Sequence, residues 1–452
     1  MEKIIVKKSP ALVGSVRVSG AKNAALPILA ASILGTEDIF LEDVPELKDV
    51  EIIIEVLESL GCKIEKLGKN NLKINSKNLN NTETDYQLMN KMRASFLVMG
   101  PLLARMGETS TSFPGGCNIG SRPIDLHLKG FEALGAKIDM NDDVIVASCD
   151  ELVGANIYLD FPSVGATENI IMAATTAKGE TIIDNAAKEP EIVDLANFLN
   201  KMGAKVMGAG TSTIQIKGVE KLRGCSHQII PDRIEAGTFM VAAAISEGDI
   251  EVENVISSHM RPIIAKLIES GAKVIEDDDK IRVIGCKEKK AINIKTLPYP
   301  GFPTDMQAQF LALMTQLEGE SHAIETVFEN RFMHVNELKR MGANIEIDDR
   351  DAAVFGASKL HGAEVRATDL RAGAALILAG IVAEGETIIS DIYHIDRGYE
   401  DIEEKFRSLG ANIERINLWE NERLKFKNLG LFLFHKILYK CSFYFDNYKS
   451  WL

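Results

Sequence analysis

SLGCKIE, residues 59–65, is the stretch that decides the fold, because the chain writes it six times. The other copies are ALGAKID (133–139), KMGAKVM (201–207), ESGAKVI (269–275), RMGANIE (340–346) and SLGANIE (408–414). Their glycines, Gly61, Gly135, Gly203, Gly271, Gly342 and Gly410, stand 74, 68, 68, 71 and 68 residues apart. Each copy has the form of a helix that stops at a glycine and turns into a strand of alternating polarity. A second motif runs in phase with it: an alanine-rich apolar helix, a glycine, then a β-branched strand. NAALPILAASILGTEDIFLEDV (23–44) and RAGAALILAGIVAEGETIISDI (371–392) are its first and last copies. These helices are apolar nearly all round, which predicts that they are buried.

The unit is therefore about 70 residues of alternating helix and strand, an α/β pattern. Six such units are too few and too elaborate for an open solenoid. The pattern predicts two pseudo-threefold domains of three units each, an inside-out barrel with buried helices and outer sheets. The seam falls near Gln228–Asp232. Residues 21–229 then form one domain, and residues 1–20 join 230–418 in the other. The opening strands IIVKKS (4–9) and VRVSG (16–20) precede the first repeat helix and are expected to complete the last unit.

Composition narrows the function. A net charge of −14 argues against a surface that binds nucleic acid generally. No run of about 18 apolar residues is present, so no membrane span is expected, and the N-terminus has no apolar signal region. None of the six cysteines forms a Cys-x-x-Cys pair. His127, His259, His334 and His394 lack metal-ligand spacing. Neither a Walker A run nor a Rossmann fingerprint appears. The expectation is a cytoplasmic protein without metal or cofactor.

Polar residues open each buried helix: Lys22-Asn23, Arg93, Ser163 to Thr167, Asp232-Arg233, Asp305 and Arg371. Capping explains Thr167 and Asp232. A cation at a helix N-terminus opposes the macrodipole, so Lys22, Arg93 and Arg371 point to bound anions, or to pairing with internal acids. Asp305 follows the rigid run TLPYPGFPT and is either an accurately placed carboxylate or an N-cap, shared with Thr304 as a candidate. Arg397 reads locally as a surface partner of Glu400 or Asp401. The loop FPGGCNIGSRPIDL (113–126) places Cys117 after two glycines and five residues before Arg122. It is either a plain surface turn or a loop bearing a reactive thiol beside an anion-holding guanidinium.

Three stretches carry a resemblance. SGAKNAALPILAASIL, PGGCNIGSRPIDLHLKGFEALGA and PYPGFPTDMQAQF are similar to the UDP-N-acetylglucosamine 1-carboxyvinyltransferases, of the enolpyruvyl transferase family. The match runs in register from Met1 to about Ile416. The resemblance implies transfer of the enolpyruvyl group of phosphoenolpyruvate to the 3′-hydroxyl of UDP-N-acetylglucosamine, the first committed step of peptidoglycan synthesis. It implies that Lys22, Arg122 and Arg397 hold phosphoenolpyruvate. Asn23, Arg93, Arg122, Pro123, Ile124, Asp125, Leu126, Ser163, Val164, Gly165, Asp305 and Val327 would meet the UDP-sugar. Arg331, Asp369 and Arg371 would line the same cleft. Asp305 would take the hydroxyl proton, and Cys117 would supply the acid and react with the epoxide antibiotic fosfomycin. The alternatives are an enolpyruvyl transferase acting on shikimate 3-phosphate, or a non-catalytic UDP-sugar-binding paralogue.

Beyond about Asn417 the resemblance stops. Residues 421–452 hold 9 of the 28 aromatic residues, which marks a segment of another kind. It reads as a membrane-surface helix, an oligomer contact or a functionless out-of-frame end. The last is preferred, and truncation after Ile416 is expected to leave turnover unchanged.

Overall fold

A computed structural model describes residues 2–84, 87–88, 92–113, 124–141 and 144–417. The fold is mixed α/β. Its repeat is plainest in the third unit. Strand Asn156–Tyr158 leads into the buried helix Val164–Ala174, which returns as strand Glu180–Asp184, parallel to the first. Helix Pro190–Lys201 follows, and the short strand Val206–Met207 and strand Thr213–Lys217 close the unit antiparallel. Five sheets have four strands and one has three; among the described residues none closes on itself.

The repeated glycines do what their position requires. All six have φ between +93° and +106°, the conformation that ends a helix and that side chains resist. The alanine-rich helices are buried as the pattern demands. Nine of ten residues are buried in Lys22–Ala31, twelve of thirteen in Arg233–Ile245, and all eight in Gln307–Met314. The second copy is irregular: Arg93–Val98 is a 3-10 turn, and the α-helix begins at Met99. There Gly100 lets two buried helices meet, since a Cβ on it would lie 2.4 Å from the Asn169 carbonyl oxygen.

The buried apolar residues form two cores. One runs from Ala21 to Ile229; the other joins Ile4–Val18 to Ile234–Ile413. The chain crosses between them twice, and the crossings lie antiparallel. Ala21 N donates to the Ile230 carbonyl at 2.7 Å, and Asp232 N to that of Ser19 at 2.9 Å. Strand Glu2–Lys7 does complete the last sheet, between Glu386–Ser390 and Asn412–Asn417. The second opening strand corrects the expectation. Val13–Arg17 pairs parallel with Asp249–Glu253 in the fourth sheet, while Ser226–Gln228 pairs with Ile39–Glu42 in the first. The strand that feeds each linked helix thus stays behind in the other core, so each crossing begins where a strand of that core ends.

Four units leave their returning strand through a left-handed Asx residue. These are Asp43, Asn185, Asn254 and Asp391, with φ of 56°, 56°, 61° and 56°. Units two and five instead have Phe113 and Glu325 there. Those two exits lead into the Cys117 loop, which lies outside the described residues, and into the loop carrying Val327 and Arg331.

Candidate active site

Two ionic centres occupy the starts of buried helices. In the first, Lys22 Nζ lies 2.6 Å from Asp49 Oδ2, and Arg397 Nε donates to Asp49 Oδ1 at 2.8 Å. Lys22 opens its helix; Asp49 lies in the first turn of Lys48–Ser59; Arg397 comes from the second core, 348 residues from Asp49. Arg397 therefore pairs with neither Glu400 nor Asp401, contrary to its local reading. Glu400 is taken by Ser19 Oγ at 2.8 Å and Asn70 Nδ2 at 3.0 Å. Burial pulls the Lys22 ammonium down from its ordinary range, and the charges of Arg397 and Arg371 add to this against Asp49. Burial pushes the Asp49 carboxyl up, but its two cations more than reverse this, and it ends below the usual range.

In the second centre, Asp305 sits between two arginines. Arg331 Nη2 donates to Oδ1 and Arg371 Nη2 to Oδ2, both at 2.9 Å. Neither Thr304 nor Asp305 caps the helix Gln307–Met314, so the capping alternative does not hold. Thr304 instead donates to Glu325 Oε2 at 2.9 Å, and Glu325 Oε1 accepts from Thr296 Oγ1 and the Val327 amide. This buried glutamate ties the proline-rich run to the Val327–Arg331 loop. Asp369 Oδ1 caps its own helix, accepting from the Arg371 and Ala372 amides, and so presents Arg371. Arg371 is held far in the charged form despite complete burial, with Asp305 the main favourable charge.

Exposure separates the two centres. Asp49 is 2% exposed while Lys22 and Arg397 are 9% and 27%. Asp305 is 28% exposed while Arg331 and Arg371 are 4% and 2%. The first centre turns a cation to the open side; the second turns a carboxylate.

The remaining expected residues divide. Ser163 caps Val164–Ala174, and the ring of His127 lies within 3.5 Å of where a Cβ on Gly165 would be, so Ile124–Leu126 and Ser163–Gly165 are neighbours. Thr167 is not the cap: it donates to the Ser163 carbonyl and accepts from Ala187 N. Asp232 does cap its helix. Asn23 is exposed on the first turn beside Lys22, and Arg93 opens its 3-10 turn. Cys117, Arg122 and Pro123 lie outside the described residues. Among the described residues, no set of three His, Cys, Asp or Glu side chains converges as a metal site, and no helix is long and apolar enough to cross a membrane. Sequence reasoning missed Asp49, Glu325 and Glu191, whose Oε1 meets Nε of the helix-start Arg233 at 3.0 Å. Of these, Glu325 alone left a signal, as the residue that breaks the Asx pattern.

Comparison with known proteins gives a consistent picture. The family model described as EPSP synthase (3-phosphoshikimate 1-carboxyvinyltransferase) matches residues 6–406. The UDP-N-acetylglucosamine 1-carboxyvinyltransferase of Finegoldia magna is 66% identical, covering 92% of this chain and 100% of its own. UDP-N-acetylglucosamine 1-carboxyvinyltransferase 1 of Caldanaerobacter subterraneus subsp. tengcongensis is 60% identical over 91% of this chain and 99% of its own. Among solved structures, the enolpyruvyl transferase NikO of Streptomyces tendae superposes with a TM-score of 0.84 at 23% identity, covering 92% of this chain and 98% of its own. An EPSP synthase of Acinetobacter baumannii gives 0.73 at 19%, covering 92% and 100%. These two structures bear on the fold alone.

Proposed function

The chain belongs to the EPSP synthase family of enolpyruvyl transferases, and on that premise we infer its reaction and the residues that carry it. It transfers the enolpyruvyl group of phosphoenolpyruvate to the 3′-hydroxyl of UDP-N-acetylglucosamine, releases phosphate, and so serves peptidoglycan synthesis. The observation that carries this is end-to-end identity of 66% with a transferase of that name. The shikimate 3-phosphate alternative has only the breadth of the family description behind it. The test is phosphate release: UDP-N-acetylglucosamine with phosphoenolpyruvate gives it, and shikimate 3-phosphate does not. The opposite result overturns the reading.

Lys22 and Arg397 hold the anionic groups of phosphoenolpyruvate, with Arg122. Their support is that both already grip the Asp49 carboxylate, a stand-in for the substrate's own. Asp305 removes the proton of the attacking hydroxyl; it is the exposed carboxylate of the pair. Oxygen then bonds to C2 as Cys117 protonates the C3 methylene. The Cys117 thiolate then takes back a C3 proton as the C2–O bond to phosphate breaks, and the phosphate leaves with the proton held by Asp305, which restores the double bond and both side chains. Asn23, Arg93, Ile124–Leu126, Ser163–Gly165 and Val327 meet the UDP-sugar, with Arg331, Asp369 and Arg371 beside it.

The two cores act as two domains, 21–229 and 1–20 with 230–418, each an inside-out barrel of three units. Closure excludes water from the intermediate. Domain crossings within 18–21 and 229–232 suit that motion. A cytoplasmic location fits the four free described thiols, Cys62, Cys149, Cys225 and Cys286.

A further inference from the structure

Four consecutive residues, Arg397 to Glu400, reach both centres and both cores. Arg397 crosses to Asp49. Gly398 packs on the start of helix Leu370–Val382, where a Cβ would lie 2.4 Å from Leu370 Cδ1. Glu400 accepts from Ser19 in the crossing and from Asn70 in the first core. Tyr399, buried between them, has three partners, Thr238, Gln309 and Arg371.

Its hydroxyl lies 3.0 Å from Thr238 Oγ1 and 3.1 Å from Gln309 Nε2. Thr238 spends its proton on the Ile234 carbonyl at 2.8 Å. Tyr399 therefore donates to Thr238 and accepts from Gln309. Its ring lies 5.5 Å from the Arg371 guanidinium carbon. Arg371 gives Nη2 to Asp305, but its Nε and Nη1 have no hydrogen-bond partner. The ring thus lies against a guanidinium that has only Nη2 hydrogen-bonded, and the Tyr399 hydroxyl also feels its charge.

We propose that Tyr399 is a positioning residue of the transfer reaction. Its ring aims Arg371 at Asp305, and its pinned hydroxyl holds the turn that carries Arg397. One side chain thus sets the carboxylate centre and the cation centre together. This rests on the reading of Asp305 and Arg397 given above.

Two variants separate the arms. Tyr399→Phe keeps the ring and loses the pin. It should raise KM for phosphoenolpyruvate about threefold or more, leave kcat within about twofold, and leave the acidic limb of kcat/KM in place. Tyr399→Leu removes the ring as well. Misplacing a reacting group costs up to about 100-fold, so kcat should fall by roughly 10- to 100-fold. Asp305 loses Arg371 and keeps Arg331 and, at longer range, Arg233, so it protonates more easily and the acidic limb moves to higher pH. A folded Tyr399→Leu enzyme with kcat within twofold of the parent, or with its acidic limb unmoved, overturns the proposal. If Tyr399→Leu does not fold, Thr238→Val tests the pin, and an unchanged KM overturns it. Asp305→Asn is measured alongside. If it retains turnover, the assignment of Asp305 fails. Tyr399 is then judged by a crystal structure of Tyr399→Leu, in which Arg371 must have left Asp305 and an unmoved Arg371 refutes the proposal.

Discussion

The centres at Asp49 and Asp305 have the same composition, one carboxylate between two cations, and opposite exposure. At Asp49 the acid is sealed, Lys22 is buried beside it, and Arg397 reaches outward. At Asp305 the arginines are sealed and the acid reaches outward. Burial, not residue type, decides which charge each centre offers to a ligand. The first offers a grip for an anion; the second offers a base. The difference follows from placement. Asp49 is wedged in the first turn of an outer helix against the buried helix of Lys22, whereas Asp305 lies in the 3-10 turn Thr304–Met306 that enters its helix from a braced run.

The largest expected effect comes from removing the offered acid. Asp305→Ala should lower kcat by about 10²- to 10⁴-fold while the fold persists, as steady-state phosphate release and circular dichroism would record. A near-normal rate would leave Asp305 a mere partner of two arginines. Removing the offered cation should act on binding instead. Arg397→Ala should raise the KM for phosphoenolpyruvate by about tenfold or more, the loss of one charge-assisted hydrogen-bonded contact. If KM is unchanged and kcat alone falls, the two centres do not divide the work as their exposure suggests.

Asp49→Asn sharpens the comparison, because it should separate stability from binding. The change leaves Lys22 and Arg397 uncompensated, and breaking such a pair costs about 3 kcal/mol or more. The urea midpoint should fall, while phosphoenolpyruvate, freed of an internal competitor, binds more tightly. The carboxyl of Asp49 is held below its ordinary range. Its contribution is therefore fully present above about pH 4, the unfolded aspartate value, and is lost as pH falls through the folded value. Urea midpoints measured from neutral into acid should fall in the parent and fall less steeply in Asp49→Asn, where Asp38 and Asp249 keep their own acid dependence. A parallel slope in both proteins would remove Asp49 from the account.

The repeat was legible because its cause is local. A glycine that must take positive φ after a helix repeats wherever the helix does, and all six do so. Lys22 and Arg371 were legible because a cation at the start of a buried helix demands a reason, and Asp305 because the rigid run TLPYPGFPT precedes it. Asp49 was not. In LKDVEI it looks like any acid that favours a helix N-terminus, and its partners stand 27 and 348 residues away in sequence. Arg397 was misread for the same reason, since Glu400 and Asp401 are near in sequence and Asp49 only in space. The second opening strand was misplaced because strand pairing across a domain crossing has no sequence period. The smallest expected effect belongs to the segment past Asn417, outside the described residues: its removal should leave kcat per folded molecule unchanged.

The central claim, that one centre holds the anion and the other moves the proton, is tested most directly by calorimetry on Asp305→Asn. Phosphoenolpyruvate is titrated into the variant saturated with UDP-N-acetylglucosamine. Binding within about threefold of the dead-end affinity of the parent, with no phosphate released, is the predicted result. Loss of binding by tenfold or more would place Asp305 among the groups that hold the anion and contradict the division.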